Sequence, residues 1–266
     1  MATKFLLFQT MLSLLFVSTS SATEPIVEIA EVKAAAFTLD GARRPLLLQS
    51  SAEAAAYFGE NDLAVLKDKA DFSKQKVLVF AWRGSGQDRI EYEVLESFPE
   101  QIRFSYQPGR TRDLRPHVKV FAVRSDVKCI ANGTIVSNLE IKEDGKWIPA
   151  KLPLADLRGA KAVEVKVRGI LTDGIIALGG ETTGTTIRFG KTTWELNLQN
   201  KKAFNLAAGR LNGKPVVVSG LVRTQKGIEV ATRTILTVES IASGLPNPVP
   251  PKDIVTEKIM GKPFVK

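Results

Sequence analysis

The chain predicts a mainly β protein with some α: an α+β module of two short helices plus antiparallel strands, followed by an OB-like five-stranded β-barrel. Three observations predict it. Apolar and polar residues alternate with period two along most of the chain, as half-buried strands require. Helical patterns are short and confined to residues 51–70 and 203–211. The last part runs strand, strand, strand, helix, strand, strand, the element order of an OB-type barrel. An open sandwich of the same strands is the rival arrangement.

Residues 1–22 precede the fold. Lys4 supplies a positive start, residues 5–17 form an apolar stretch broken only by Gln9, Thr10 and Ser13, and Ser20 and Ala22 are small residues before Thr23. These are the marks of a secretory signal peptide. The stretch falls short of the roughly 20 residues a membrane span needs. An exported chain, periplasmic or extracellular and with no transmembrane segment, is therefore expected. Cys129 is the only cysteine and lies far from the cleavage point, so neither a lipid attachment there nor an intramolecular disulfide is expected. Cleavage removes one lysine and no acid, taking the net charge from +9 to +8, and the sequence pI is about 9.6. Such a surface attracts polyanions.

The first module spans 23–131. Ile26 and the neighbouring valines suggest an opening strand. Ser50, Ser51 and Glu53 form a capping pattern for a helix that Gly59 stops, and Asn61 or Asp62 caps a second one carrying Leu63, Leu66 and Ala70 on one face. Residues 77–82 are a continuous apolar run, short enough for a buried strand. Ile90, Tyr92 and Val94 then alternate with Glu91 and Glu93. Ile102, Phe104 and Tyr106 alternate with Arg103 and Ser105, with Pro99-Glu100 as the turn between. Val118, Val120 and Ala122 give a last strand.

Several of these stretches carry a family resemblance: Tyr57-Phe58-Gly59, the run 71–80, the Gly84-Ser85-Gly86 loop, the strand 90–94 and the run 117–123. Together they resemble the C-terminal module of the PrcB-like proteins of bacterial protease complexes over about 75 residues. That family commonly enters the strand after the glycine loop through Gly-Gly-Tyr, where this chain has Gly86-Gln87-Asp88-Arg89-Ile90. The resemblance implies an exported, non-catalytic accessory module.

Residues 132–158 read as a hairpin and linker. Segments 135–141 and 146–148 flank Asp144-Gly145, a two-residue turn signal, and Pro149 and Pro153 follow. The barrel occupies 159–243. Val163, Val165 and Val167 alternate with Glu164, Lys166 and Arg168, and Trp194, Leu196 and Leu198 with Glu195 and Asn197. A helix over 203–211, an Asn212-Gly213 turn and strands over 216–222 and 229–240 complete it. Gly220 suits a bulge. Residues 244–266 are a Pro-rich tail.

The inventory predicts no catalytic set, no metal site and no cofactor. With one histidine in the chain, a triad or His-rich metal site must include His117, and a secreted hydrolase built around it is the alternative to a binding protein. A partly exposed strand-end residue is the plainer role for His117, and a small buried filler for Cys129. Asp88, Asp113 and Asp173 read as loop-capping acids.

Two loops are candidate binding elements. In residues 107–117, Arg110, Arg112 and Arg115 recur every second or third position up to His117, and Arg83 ends the strand nearby. Guanidinium forks spaced this way suit carboxylates or phosphates, unless they are consumed by Asp113, Glu91 and Glu93. The Gly/Thr loop 179–186 with Glu181, Thr182 and Thr183 lacks a P-loop ending and precedes a strand, yet OB-type barrels meet ligands at such loops. The expected partner is a protein or an anionic envelope polymer. Nucleic acid is not favoured, because exposed aromatics interleaved with the basic residues are missing.

Overall fold

The structure, a computed structural model, describes residues 24–32, 43–150, 152, 154, 162–176, 181–228 and 231–244. The leader, Pro153, Gly179-Gly180, Glu229 and the tail beyond 244 lie outside the described residues.

The first part contains β1 (Ile26–Glu28), β2 (Leu46–Leu48), α1 (Ser51–Ala55), α2 (Glu60–Lys69), β3 (Gln75–Gly84), β4 (Arg89–Leu95), β5 (Gln101–Gln107), β6 (Arg115–Arg124), β7 (Lys128–Ala131) and β8 (Thr134–Ile135). One sheet has the order β1-β6-β3-β2 and a second the order β4-β5-β7-β8. Side chains alternate along β3, so Leu78, Phe80 and Trp82 leave one face while Val77 and Val79 leave the other. The first set meets Ile90, Ile102, Phe104, Phe121 and Cys129 between the two sheets. The second meets Ala54, Tyr57, Phe58 and Leu66 under the helices. A strand buried on both faces explains the unbroken apolar run at 77–82.

The helices differ in detail from expectation. Ser50 does cap α1, its Oγ accepting from Glu53 N at 3.2 Å. The helix stops at Ala55 rather than reaching Gly59, and Tyr57 and Phe58 after it are buried against the sheet. Gly59 itself is the N-cap of α2, so Asp62 lies in the first turn, where an acid suits the helix dipole. Strands β2, β7 and β8 are too short to show an alternation in sequence.

The second part contains β9 (Leu139–Glu143), β10 (Lys146–Pro149), β11 (Val163–Asp173), β12 (Thr185–Phe189), β13 (Thr192–Asn197), α3 (Lys202–Leu211), β14 (Pro215–Gln225) and β15 (Arg233–Ser243). The strands are ordered β10-β9-β11-β12-β13-β15-β14, and β14 also pairs with β11, so five strands hydrogen bond in a closed circuit. Val165, Val167, Ile187, Trp194, Leu196, Val216, Val218, Leu236 and Val238 fill it, with Ala208 and Phe204 of α3 packed against them. Between Ser219 and Gly220 the register of β14 on β15 shifts. A Cβ at Gly220 would stand 2.0 Å from Thr237 O, so only glycine lets the strands approach there.

The stretch expected as hairpin and linker is divided between the two parts. The Asp144-Gly145 turn forms, both residues taking positive φ (48° and 76°), and β9 pairs with β10 across it. That hairpin extends the ring sheet by pairing with β11, whereas β8 pairs with β7 in the first part. Ser137 and Asn138 make the break. Ser137 Oγ donates to Leu139 O (2.8 Å), and Asn138 Nδ2 donates to Leu47 O (3.2 Å). Glu53 is the second tie between the parts. Only 3% exposed, it accepts from Gln49 N at 2.7 Å and from Gly190 N, in the β12–β13 turn, at 2.6 Å. Burial pushes its pKa up against the pull of those two amides and Arg188. Among the described residues no helix is long and apolar enough to cross a membrane.

Candidate functional site

Strand pairing brings two loops to one end of the first part. Arg83 lies opposite Pro116 and Gly84 opposite Arg115 on β3 and β6, while Arg89 lies opposite Gln107 on β4 and β5. The β3–β4 loop and the arginine-bearing β5–β6 loop are therefore neighbours.

Asp88, 7% exposed, holds them together. Its Oδ2 accepts from Trp82 Nε1 at 3.1 Å and from the Tyr106 hydroxyl at 2.7 Å, and its Oδ1 accepts from Gly109 N at 2.7 Å. Burial alone would raise the carboxyl pKa. The Gly109, Tyr106 and Trp82 donors and nearby His117 outweigh it, and the pKa falls below the usual value. A Cβ at Gly84 would meet Asp88 Oδ2 at 1.8 Å, and one at Gly109 would meet Ser85 Oγ at 2.3 Å, so both glycines are needed where they stand.

Ser85 and Asp113 add a second layer of ties. Ser85 Oγ lies 2.6 Å from Thr111 Oγ1 and accepts from the amides of Gln87 and Thr111, each at 3.2 Å. Asp113 accepts from Gly86 N at 3.1 Å and pairs with Arg115. The Thr111 hydroxyl, the Gly86 amide and Arg115 hold its pKa down at about 2.

These acids are turned into the loops, and most of the arginines are not. Arg115 is neutralised by Asp113. Arg83, Arg110 and Arg112 are exposed and form no ion pair among the described residues, although Arg83 Nη2 reaches Leu114 O at 3.3 Å. The internal pairing considered from sequence therefore occurs only at Arg115: Glu93 is taken by Arg103 at 3.5 Å. Two further cations join this end that sequence reading did not single out. Arg89 is exposed at the start of β4, and the Arg43 guanidinium lies 5.8 Å from the centre of the Tyr106 ring. Neither belongs to the 107–117 run: strand pairing brings Arg89 to this end, and the contact with Tyr106 brings Arg43. An open cleft of about 490 Å³ is lined by Gln87, Asp88, Arg89, Gln107, Gly109 and Arg110.

His117 stacks on Trp82 at 4.8 Å between ring centres and 10° between planes. Its Nε2 is buried and lacks a hydrogen-bond partner among the described residues. Cys129 is 2% exposed in the sandwich core, where burial pushes the thiol pKa up.

The Gly/Thr loop is built differently. Both Glu181 oxygens accept from Ile228 N (2.9 and 2.7 Å), and Arg233 approaches Glu181 at 3.4 Å. Arg233 also forks onto Glu195 at 2.7 and 2.6 Å. Bonds from the Arg233 fork and the Thr183 amide hold the Glu195 pKa low despite burial. Thr182 Oγ1 accepts from Gly184 N, and Thr183 Oγ1 donates to Thr185 O, both at 3.1 Å. The predicted site residues thus fall into two groups: Arg83, Arg110, Arg112, Arg115 and His117 at the end of the first part, and Glu181, Thr182 and Thr183 on the ring.

No protein-family model, curated protein or solved structure matches this chain.

Proposed function

We propose that this is an exported, non-catalytic binding or accessory protein of the bacterial cell envelope, which grips an anionic polymer through the arginine-bearing end of its first part. One observation carries the proposal: Arg83, Arg89, Arg110 and Arg112 are exposed and without ion pairs among the described residues, on loops fastened by Asp88, Ser85 and Asp113. Guanidinium groups on a pre-ordered loop lose less freedom on meeting a phosphate or carboxylate than they would on a floppy one. The resemblance to an accessory module, the signal-like leader and the basic net charge support the same role.

The hydrolase alternative gains little from the surroundings of His117. A general base must lie within hydrogen-bond reach of the group it deprotonates, and the His117 imidazole is stacked on Trp82 with Nε2 buried and unbonded among the described residues.

The test is binding of the mature protein to two probes, inorganic polyphosphate and polyglutamate, at low and high salt. Arg110→Ala/Arg112→Ala should weaken binding to the preferred probe by about tenfold or more, and added salt should weaken the wild type. Equal binding by wild type and double variant would remove the loop from the function.

A further inference from the structure

Among the described residues five strands end their sheets, and four of them are protected. β1 and β2 have three residues each, β8 has two, and β10 has four and ends in Pro149. Short or proline-ended edges resist pairing with another chain. β4 is different: seven residues, paired only with β5. Among the described residues no backbone bond from outside the sheet reaches it.

Its two faces are chemically distinct. Ile90 is buried in the core between the sheets, and Tyr92 and Val94 share its face but remain 44% and 40% exposed. The Tyr92 ring touches Phe121 and Phe104, at 5.7 and 6.2 Å between ring centres, so it lies over the unclosed side of that core. On the opposite face stand Arg89, Glu91 and Glu93, all exposed, so that face carries one cation at its start and two acids further along. Glu91 forms no ion pair among the described residues, and Glu93 meets only the exposed Arg103.

We infer that β4 is a docking edge for an extended segment of a partner protein in which Lys or Arg alternates with β-branched apolar residues. Such a segment adds a strand to the β4-β5-β7-β8 sheet. Its apolar side chains cover Tyr92 and Val94, and its cations lie beside Glu91 and Glu93. The same glutamates disfavour a second copy of this chain as occupant. Two β4 strands paired antiparallel over their full length place Glu91 of each opposite Glu93 of the other, and like charges directly opposite are destabilising.

The test uses the mature protein and three capped synthetic heptapeptides: alternating Lys and Val, alternating Glu and Val, and the Lys/Val peptide with every backbone amide methylated. The Lys/Val peptide should bind at least about tenfold tighter than either control and protect from exchange those amides of residues 89–95 that point away from β5. Glu91→Lys/Glu93→Lys should reverse the preference toward the Glu/Val peptide. Arg110→Ala/Arg112→Ala should leave peptide binding unchanged, so failure here is separable from failure of the anion-binding proposal. Undiminished binding of the methylated peptide would overturn the inference, since charge attraction would then suffice without strand pairing. So would protection that maps away from β4, absence of binding, or a self-associated form that Tyr92→Lys abolishes.

Discussion

The arginine-bearing end of the first part and the Gly/Thr loop of the ring use the same residue types in opposite ways. In the ring, Arg233 is the fastener: its side chain is only 10% exposed and its charge is met by Glu195 and Glu181. At the end of the first part the acids Asp88 and Asp113 fasten the loops, and Arg83, Arg110 and Arg112 are left outside. A cation held by carboxylates at short range is poorly placed to meet a ligand, while one on a loop tied by other groups is free to do so. Loop composition alone does not separate these cases; the position of the acids does.

The largest expected effect is at Asp88. Asp88→Ala strands the Trp82 and Tyr106 donors and the Gly109 amide, and should cost about 4 kcal/mol in chemical denaturation, with loss of polyanion binding as the loop loosens. Arg233→Ala leaves Glu195 and Glu181 without their fork and should cost about 2 kcal/mol, yet leave polyanion binding intact. If binding fell equally in both variants, the contrast between the two ends would fail.

Glu53→Ala should cost a similar or smaller amount, about 2 kcal/mol, by stranding the amides of Gln49 and Gly190. The two tied acids also differ in the sign of their pH dependence. The pKa of Glu53 is raised in the folded protein, so its contribution is complete below its ordinary value of 4.5 and is lost as pH rises through the folded value. The pKa of Asp113 is lowered, so its contribution is present above its ordinary value of 3.8 and is lost as pH falls toward about 2. Titration of the two carboxyls by NMR, with amide exchange at Gly190 and Gly86, should show the seam loosening with rising pH and the loop loosening with falling pH.

Much of the fold was legible because long strands announce themselves. Val163, Val165 and Val167 in β11, Ile102 and Phe104 in β5, and the Asp144-Gly145 turn all sit in elements that their spacing predicts. β2 and β7 were not legible, since three or four residues cannot display a period and both are specified by the sheets that receive them. For the same reason the segment 135–141 read as one strand, although Ser137 and Asn138 divide it between two sheets. At the candidate site, the cluster Arg110, Arg112 and Arg115 was visible as a local run. Arg89, Arg43 and the central role of Asp88 depend on β3, β4, β5 and β6 converging, which no local pattern encodes.

The smallest effect on stability is expected where the effect on binding is greatest. Arg110→Ala/Arg112→Ala removes exposed side chains without ion pairs among the described residues and should change folding stability by no more than about 0.5 kcal/mol. The decisive measurement is the slope of log binding constant against log salt for polyphosphate, wild type against this double variant. A slope shallower by roughly one to two in the variant, as expected when two cations no longer displace counterions, is the predicted result. Parallel lines of equal affinity would contradict the claim that these arginines are held ready for an anionic partner.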